Sequence, residues 1–219
     1  MTDHRLAETA TRHCRLRLRQ SVRIITDLTA GPWTSLNLPM RPVSESTRKS
    51  RGFPPVVGTT PRVLVLGSLP GRASLEAKQY YAQSRNAFWP IMGALCTAGP
   101  DIAYAARLDA LTRAGVALWD VLFEAYRPGS LDSSIVATSQ RVNDVAGLIL
   151  RNKSIGLIAF NGQKAAEVFH RHIESVLTRT DLSLSTLPST SPAHASLRLE
   201  EKLARWRQVL APYLRVERA

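Results

Sequence analysis

Four stretches of the chain are apolar almost without interruption, and the segments between them place apolar residues every three or four positions. The runs are Arg62–Leu66, Val116–Leu122, Ile155–Phe160 and Leu182–Leu187. Near-continuous runs of this length suit strands covered on both faces, whereas a half-exposed strand would alternate. The intervening stripes lie over Ala87–Ala98; over Val142, Val145, Ala146, Ile149 and Leu150; over Ala165, Phe169, Ile173 and Val176; and over Leu199, Leu203, Trp206, Leu210 and Tyr213. Each draws one face of a helix. Strands alternating with helices predict an α/β fold, a three-layer α/β/α sandwich with a central, mainly parallel four-stranded sheet.

This regularity begins only after about residue 52. Upstream, Arg12, Arg15, Arg17, Arg19 and Arg23 lie among short apolar residues, and Gly31-Pro32, Pro39 and Pro42 then interrupt any regular element. Residues 5–26 are expected to form a basic helix, and Met40 offers an alternative start. The predicted organisation is a basic, flexible N-terminal extension, 1–51, followed by one domain, 52–219.

Charge adds a partner class. The net charge is +12; residues 1–51 hold ten Lys/Arg against four Asp/Glu, which leaves nineteen against thirteen for the rest. Both parts are basic, as suits a polyanion whose phosphates attract Lys and Arg and release counterions. No run approaches the ~20 apolar residues of a membrane span, so a soluble chain without membrane contact is expected. Two cysteines, Cys14 and Cys96, build no disulfide framework and fit a reducing, cytoplasmic setting. His170 and His172 stand two apart and cannot share a helix face; no metal and no cofactor is expected.

Chemistry concentrates after the strands. Gly67-Ser68-Leu69-Pro70-Gly71 and Tyr80–Trp89 follow the first, Trp119-Asp120 sits in the second, Asn161-Gly162 follows the third and Pro188–His194 the fourth. Open α/β sheets bind ligands at the carboxyl ends of their strands, so these loops are predicted to build one pocket.

In this order and spacing, Gly67-Ser68-Leu69-Pro70-Gly71, Tyr80-Tyr81, Arg85-Asn86-Ala87-Phe88-Trp89, Ala117–Val121, Phe160-Asn161-Gly162 and Leu187–Ala193 resemble the uracil-DNA glycosylase superfamily, specifically its DNA-deoxyinosine (hypoxanthine-DNA) glycosylase branch. The resemblance covers about 52–214. It implies a monofunctional enzyme that flips a deaminated base, hypoxanthine or uracil, out of damaged DNA and hydrolyses its glycosidic bond, working as a monomer in the cytoplasm.

Breaking that bond builds positive charge on the sugar while electrons move onto the base, so a site must hold water at C1′ and stabilise the leaving base. Other branches use an acid or Asn of the first loop for the water; Ser68 and Leu69 stand there in this chain. The resemblance moves the catalytic task to Asn86, whose plain alternative is a turn or cap residue. It assigns base binding to Gly67, Ser68, Tyr81, Phe88, Asp120 and Asn161. Phe88 would stack on the flipped base, or else pack in a helix face. An ionised Asp120 would accept the ring N–H of hypoxanthine, or else act as a cap or ion-pair partner, and Asn161 is expected first as a helix cap. DNA contacts fall to Pro70, Arg85, Ser189, Ser191, Pro192 and His194: hydroxyls and backbone N–H groups of the last loop for phosphate, and Pro192-Ala193 as a wedge. His194 stands where the branch commonly has Asn. The rival readings are a non-catalytic nucleic-acid-binding module and a serine hydrolase using Ser68, Asp120 and His194 in the order of α/β-hydrolases.

Overall fold

A computed structural model describes residues 49–215. Four parallel strands, β2 (Val63–Gly67), β3 (Val116–Asp120), β6 (Leu157–Asn161) and β7 (Ser183–Leu187), form a sheet in the order β3-β2-β6-β7. Pairing is in register from Val63 opposite Val116 and Leu157 to Gly67 opposite Asp120, so the strand ends bearing Gly67, Asp120 and Asn161 finish level. The expected three-layer sandwich is the fold observed.

Alternation along the buried strands supplies both layers. Leu64, Leu66, Ala117, Trp119, Ile158 and Phe160 pack against α4 (Val145–Arg151) and α5 (Gln163–His172). Val63, Val65, Val116, Leu118, Leu157 and Ala159 pack against α2 (Phe88–Cys96), α3 (Tyr104–Arg113) and α6 (Leu199–Leu210). Every residue of β2, β3 and β6 is buried. The last strand departs from the continuous pattern: β7 is an edge, and of its five residues only Leu187 is buried.

Several boundaries differ from expectation. The second apolar run is two strands, because after Asp120 the chain leaves the parallel sheet and Leu122–Tyr126 becomes β4 of a separate antiparallel sheet. There it pairs with β1 (Lys49–Arg51) on one side and β5 (Arg141–Val142) on the other. Val142 therefore belongs to a strand and not to the helical stripe; Asp144, which accepts a hydrogen bond from Gly147 N at 3.0 Å, caps α4 and starts it at Val145. Lys49–Arg51, assigned by composition to the extension, are part of this small sheet. The proposed helix over 5–26 and the remainder of the extension lie outside the described residues. A short helix α1 (Arg72–Ala77) and α3 complete the connection from β2 to β3. No helix among the described residues is long and apolar enough to cross a membrane.

Candidate active site

Strand order creates the crevice. From β2 the chain moves out to β3, then returns past β2 to β6, so the loops after β2 and β6 diverge at neighbouring strand ends. A cavity of about 520 Å³ opens there, lined from the first loop, the Tyr80–Asn86 segment, Asp120, the Arg127–Ser133 connection, Asn161–Lys164 and the last loop. Its volume falls within the range of small-ligand pockets. The four predicted loops do meet.

Asp120 ends β3 only 4 % exposed, and its Oδ2 is buried with no hydrogen-bond partner among the described residues. Strand β4 follows it, and it forms no ion pair with a described residue, so neither the cap nor the ion-pair alternative holds. Gly67 is the reason it fits: a Cβ there would overlap Asp120 Oδ1 and approach the Tyr81 hydroxyl to 3.1 Å. Burial first, and then the like charge of Asp132, raises the Asp120 carboxyl to about 7 against the pull of Arg127. The acceptor expected of an ionised Asp120 is thus a group shared between acid and carboxylate near neutral pH.

Phe88 does not reach the cavity. It is wholly buried, edge-on to Trp89 and Trp206, and its face is covered by Tyr81 at a ring separation of 4.0 Å. The helix-packing alternative is the observed one, because the first turn of α2 directs Phe88 into the core beneath the sheet. Tyr81, held in left-handed backbone conformation at φ 54°, lines the cavity together with Tyr80. The buried Tyr81 hydroxyl has no close hydrogen-bond partner among the described residues, and burial and then Asp120 push its pKa well above the usual range against the pull of the Asn161 side chain.

Asn86 both turns the chain ahead of α2, whose cap position is Ala87, and lines the cavity. Its Oδ1 accepts from Phe88 N at 3.0 Å, and the adjacent Ala87 N donates to Thr190 O at 2.9 Å, which docks this turn against the last loop. The amide is held in place, and its Nδ2 and a second Oδ1 lone pair take no hydrogen bond from or to a described residue. Arg85 is exposed and stands outside the cavity lining.

Asn161 caps nothing. The cap position of α5 is Gly162, which makes no side-chain cap bond. Asn161 instead pairs reciprocally with Thr190, donating from Nδ2 to Thr190 Oγ1 and accepting from Thr190 N, both at 2.8 Å. Gly162 is required by its φ of +96° and by Ser189, whose Cβ would lie 2.9 Å from an added methyl. In the last loop, Thr190 N, Ser191 N, Ala193 N and His194 N are all spent on internal acceptors. Those four backbone donors are thus engaged within the protein, while the side chains of Ser189, Ser191 and His194 line the cavity. Pro70 and Pro192 line the cavity.

Three residues were not singled out by sequence. Arg127, buried, donates to the carbonyls of Leu69 and Pro70 and so clamps the first loop. Asp132 accepts from Ser68 Oγ at 2.7 Å and lies 3.9 Å from Arg127. Lys202, on the inner side of α6, donates to His194 O at 2.8 Å and Ser191 O at 3.4 Å, bracing the last loop. The Ser68–Asp132 bond also dissolves the hydrolase alternative, since Ser68 is committed to Asp132 while the His194 ring meets Ser196 Oγ at 3.3 Å.

The model of the uracil DNA glycosylase superfamily matches residues 54–215. A hypoxanthine DNA glycosylase of Methanosarcina acetivorans is 37 % identical over 145 residues, 66 % of this chain and 87 % of that protein. One from Methanosarcina barkeri is 38 % identical over 122 residues, 54 % of this chain and 75 % of its own length. A candidate uracil DNA glycosylase from Methanosarcina acetivorans, solved by solution NMR, superposes with a TM-score of 0.64 at 32 % identity, covering 76 % of this chain and 99 % of that one. Layer order, loop order and matched span agree: the chain belongs to the uracil DNA glycosylase superfamily.

Proposed function

We propose that this protein is a monofunctional DNA glycosylase that flips a deaminated base from DNA, hypoxanthine in first place and uracil in second, and hydrolyses its bond to the sugar. The observation that carries the reading is the buried Asp120 carboxyl, its Oδ2 without a partner among the described residues, in a base-sized cavity at the sheet's switch point. Flipped bases are read along their hydrogen-bonding edge. The ionised form of Asp120 accepts the ring N–H of hypoxanthine or uracil, whereas the bare N1 of adenine meets repulsion. Tyr81, backed by Phe88, walls the cavity beside the sugar, and Asn86 orients the attacking water. The names of the two Methanosarcina relatives support hypoxanthine. Ser189, Ser191 and His194 face phosphate, with Arg85 outside the cavity and the basic extension adding salt-sensitive attraction. The same reading has the enzyme acting as a monomer on cytoplasmic DNA.

Oligonucleotides carrying one hypoxanthine, uracil or xanthine, incubated with excess protein, test it. Release of hypoxanthine is expected to be fastest, and Asn86→Ala is expected to lower release by at least 100-fold while DNA affinity stays within a few-fold, since water positioning contributes to the barrier and little to ground-state binding. Binding without release from any of the three would return the protein to a non-catalytic nucleic-acid-binding module.

A further inference from the structure

The first loop has no acid of its own, and the structure brings one from 64 residues away. Leu69 turns into the core. Ser68 stays at the cavity, and its hydroxyl donates to Asp132 Oδ1 at 2.7 Å. Asp132 lies in the short helical turn Asp132–Ser134 and lines the same cavity. Arg127, from the same connection, fixes the first loop through the carbonyls of Leu69 and Pro70 and places its guanidinium 3.9 Å from Asp132 Oδ1. One carboxylate oxygen is thus occupied by Ser68 and steered by Arg127. The other, Oδ2, takes no hydrogen bond from a described residue.

We infer that Asp132 is a further catalytic residue, the carboxylate that receives the proton of the attacking water and faces the cationic sugar. The inference rests on the glycosylase reading above. In the step, the water oxygen bonds to C1′, the bond from C1′ to the base nitrogen breaks with its electron pair leaving on the base, and a water proton passes to Asp132 Oδ2. A carboxylate there also lowers the energy of the positive charge that grows on the sugar. Asn86 orients the water by its amide, which is too weak a base to take the proton; Asp132, which lines the same cavity, supplies that function. Burial raises the Asp132 carboxyl above its usual range, against Ser68, Arg127 and Lys164, which favour the carboxylate, and the nearby Asp120 carries like charge.

The role is separable from base reading because water and sugar are common to all substrates. With the full chain under single turnover, Asp132→Asn is expected to slow hypoxanthine and uracil release by the same factor, at least 100-fold, as general-base losses run ~10²–10⁴. Affinity for DNA bearing an uncleavable 2′-fluoro deoxyinosine is expected within three-fold of the parent, and Asp132→Glu is expected to recover part of the rate. Ser68→Ala, which deletes only the hydroxyl, is expected to cost about ten-fold and carries the test should Asp132→Asn lose its native melt. Release within three-fold of the parent by either variant overturns the role of Asp132 alone. Unequal losses on the two bases overturn it in favour of base recognition. A parent protein that releases neither base overturns the glycosylase reading, and the inference with it.

Discussion

Replacing Asp120 by Asn separates what the carboxyl does in the site from what it costs the fold. A carboxyl raised from its ordinary 3.8 to about 7 removes roughly 4 kcal/mol from folding stability at pH above both values. The sign follows from proton counts: between about pH 4 and 7 the folded protein holds a proton that the unfolded chain has released, so this group's contribution declines as pH rises. Asn cannot ionise, but its amide meets a site where Oδ2 already lacks a partner, at a cost of about 1–3 kcal/mol. The variant is therefore expected to be more stable than the parent by about 1–3 kcal/mol at pH 8, a rise in melting temperature of roughly 2–10 °C for a domain of this size. At pH 5, where the parent is protonated as well, the advantage disappears. Thermal melts of both proteins from pH 5 to 8 read the difference, and parallel pH profiles would refute burial as the source of the shift. In the same variant hypoxanthine release is expected to fall and the ratio of uracil to hypoxanthine release to rise, because an amide offers one donor and one acceptor; an unchanged ratio would remove Asp120 from base reading.

Phe88→Leu is expected to keep base release within a few-fold and lower the melting temperature by several degrees; a 100-fold slower release with an intact melt would restore the ring to a stacking role. Gly162→Ala forces a side chain into a backbone conformation reserved for Gly, at ~1–3 kcal/mol, and pushes Ser189 from its 2.9 Å approach. A ten- to hundred-fold slower release is expected from the displaced last loop, and parental rate and melt together would refute that coupling. Deleting residues 1–39 is expected to leave the melt and the single-turnover rate unchanged while weakening DNA binding most at low salt; a fall of the melting temperature by more than a few degrees would show that the segment packs on the domain.

The parallel sheet was legible because burial on both faces leaves few alternatives to an apolar run, as Val63–Leu66 and Leu157–Phe160 illustrate. Where one face meets solvent, the code is weaker. Leu122–Tyr126 buries only Leu122 and Ala125 and reads as the tail of the preceding run, and Val142 satisfies helical spacing with the stripe of α4 although it pairs with Leu122. Asp144 carried the missing signal, since an Asp just ahead of an apolar stripe is a cap and dates the start of the helix. Helix α3 is hard to read because its inner face is marked by only two large aliphatic residues, Leu108 and Leu111, beside Tyr104 and Ala110.

Side-chain roles were legible in proportion to how local they are. Loop convergence follows from strand order, so Gly67, Ser68, Asp120, Asn161 and Ser189 could be grouped without knowing a single contact. Which of several neighbouring rings faces a cavity depends on one backbone angle: Tyr81 at φ 54° turns toward it, and Phe88, seven residues on, supports the ring from behind. Arg127 and Asp132 lie beyond even that reach. Nothing in Arg127-Pro128-Gly129-Ser130-Leu131-Asp132 distinguishes it from a solvated turn, and its meaning comes from the first loop, whose two carbonyls need a buried donor and whose Ser68 needs an acceptor. An acid missing from a motif is thus not an acid missing from a site. The place to look for it is opposite the residue that took its position, and Ser68 points there.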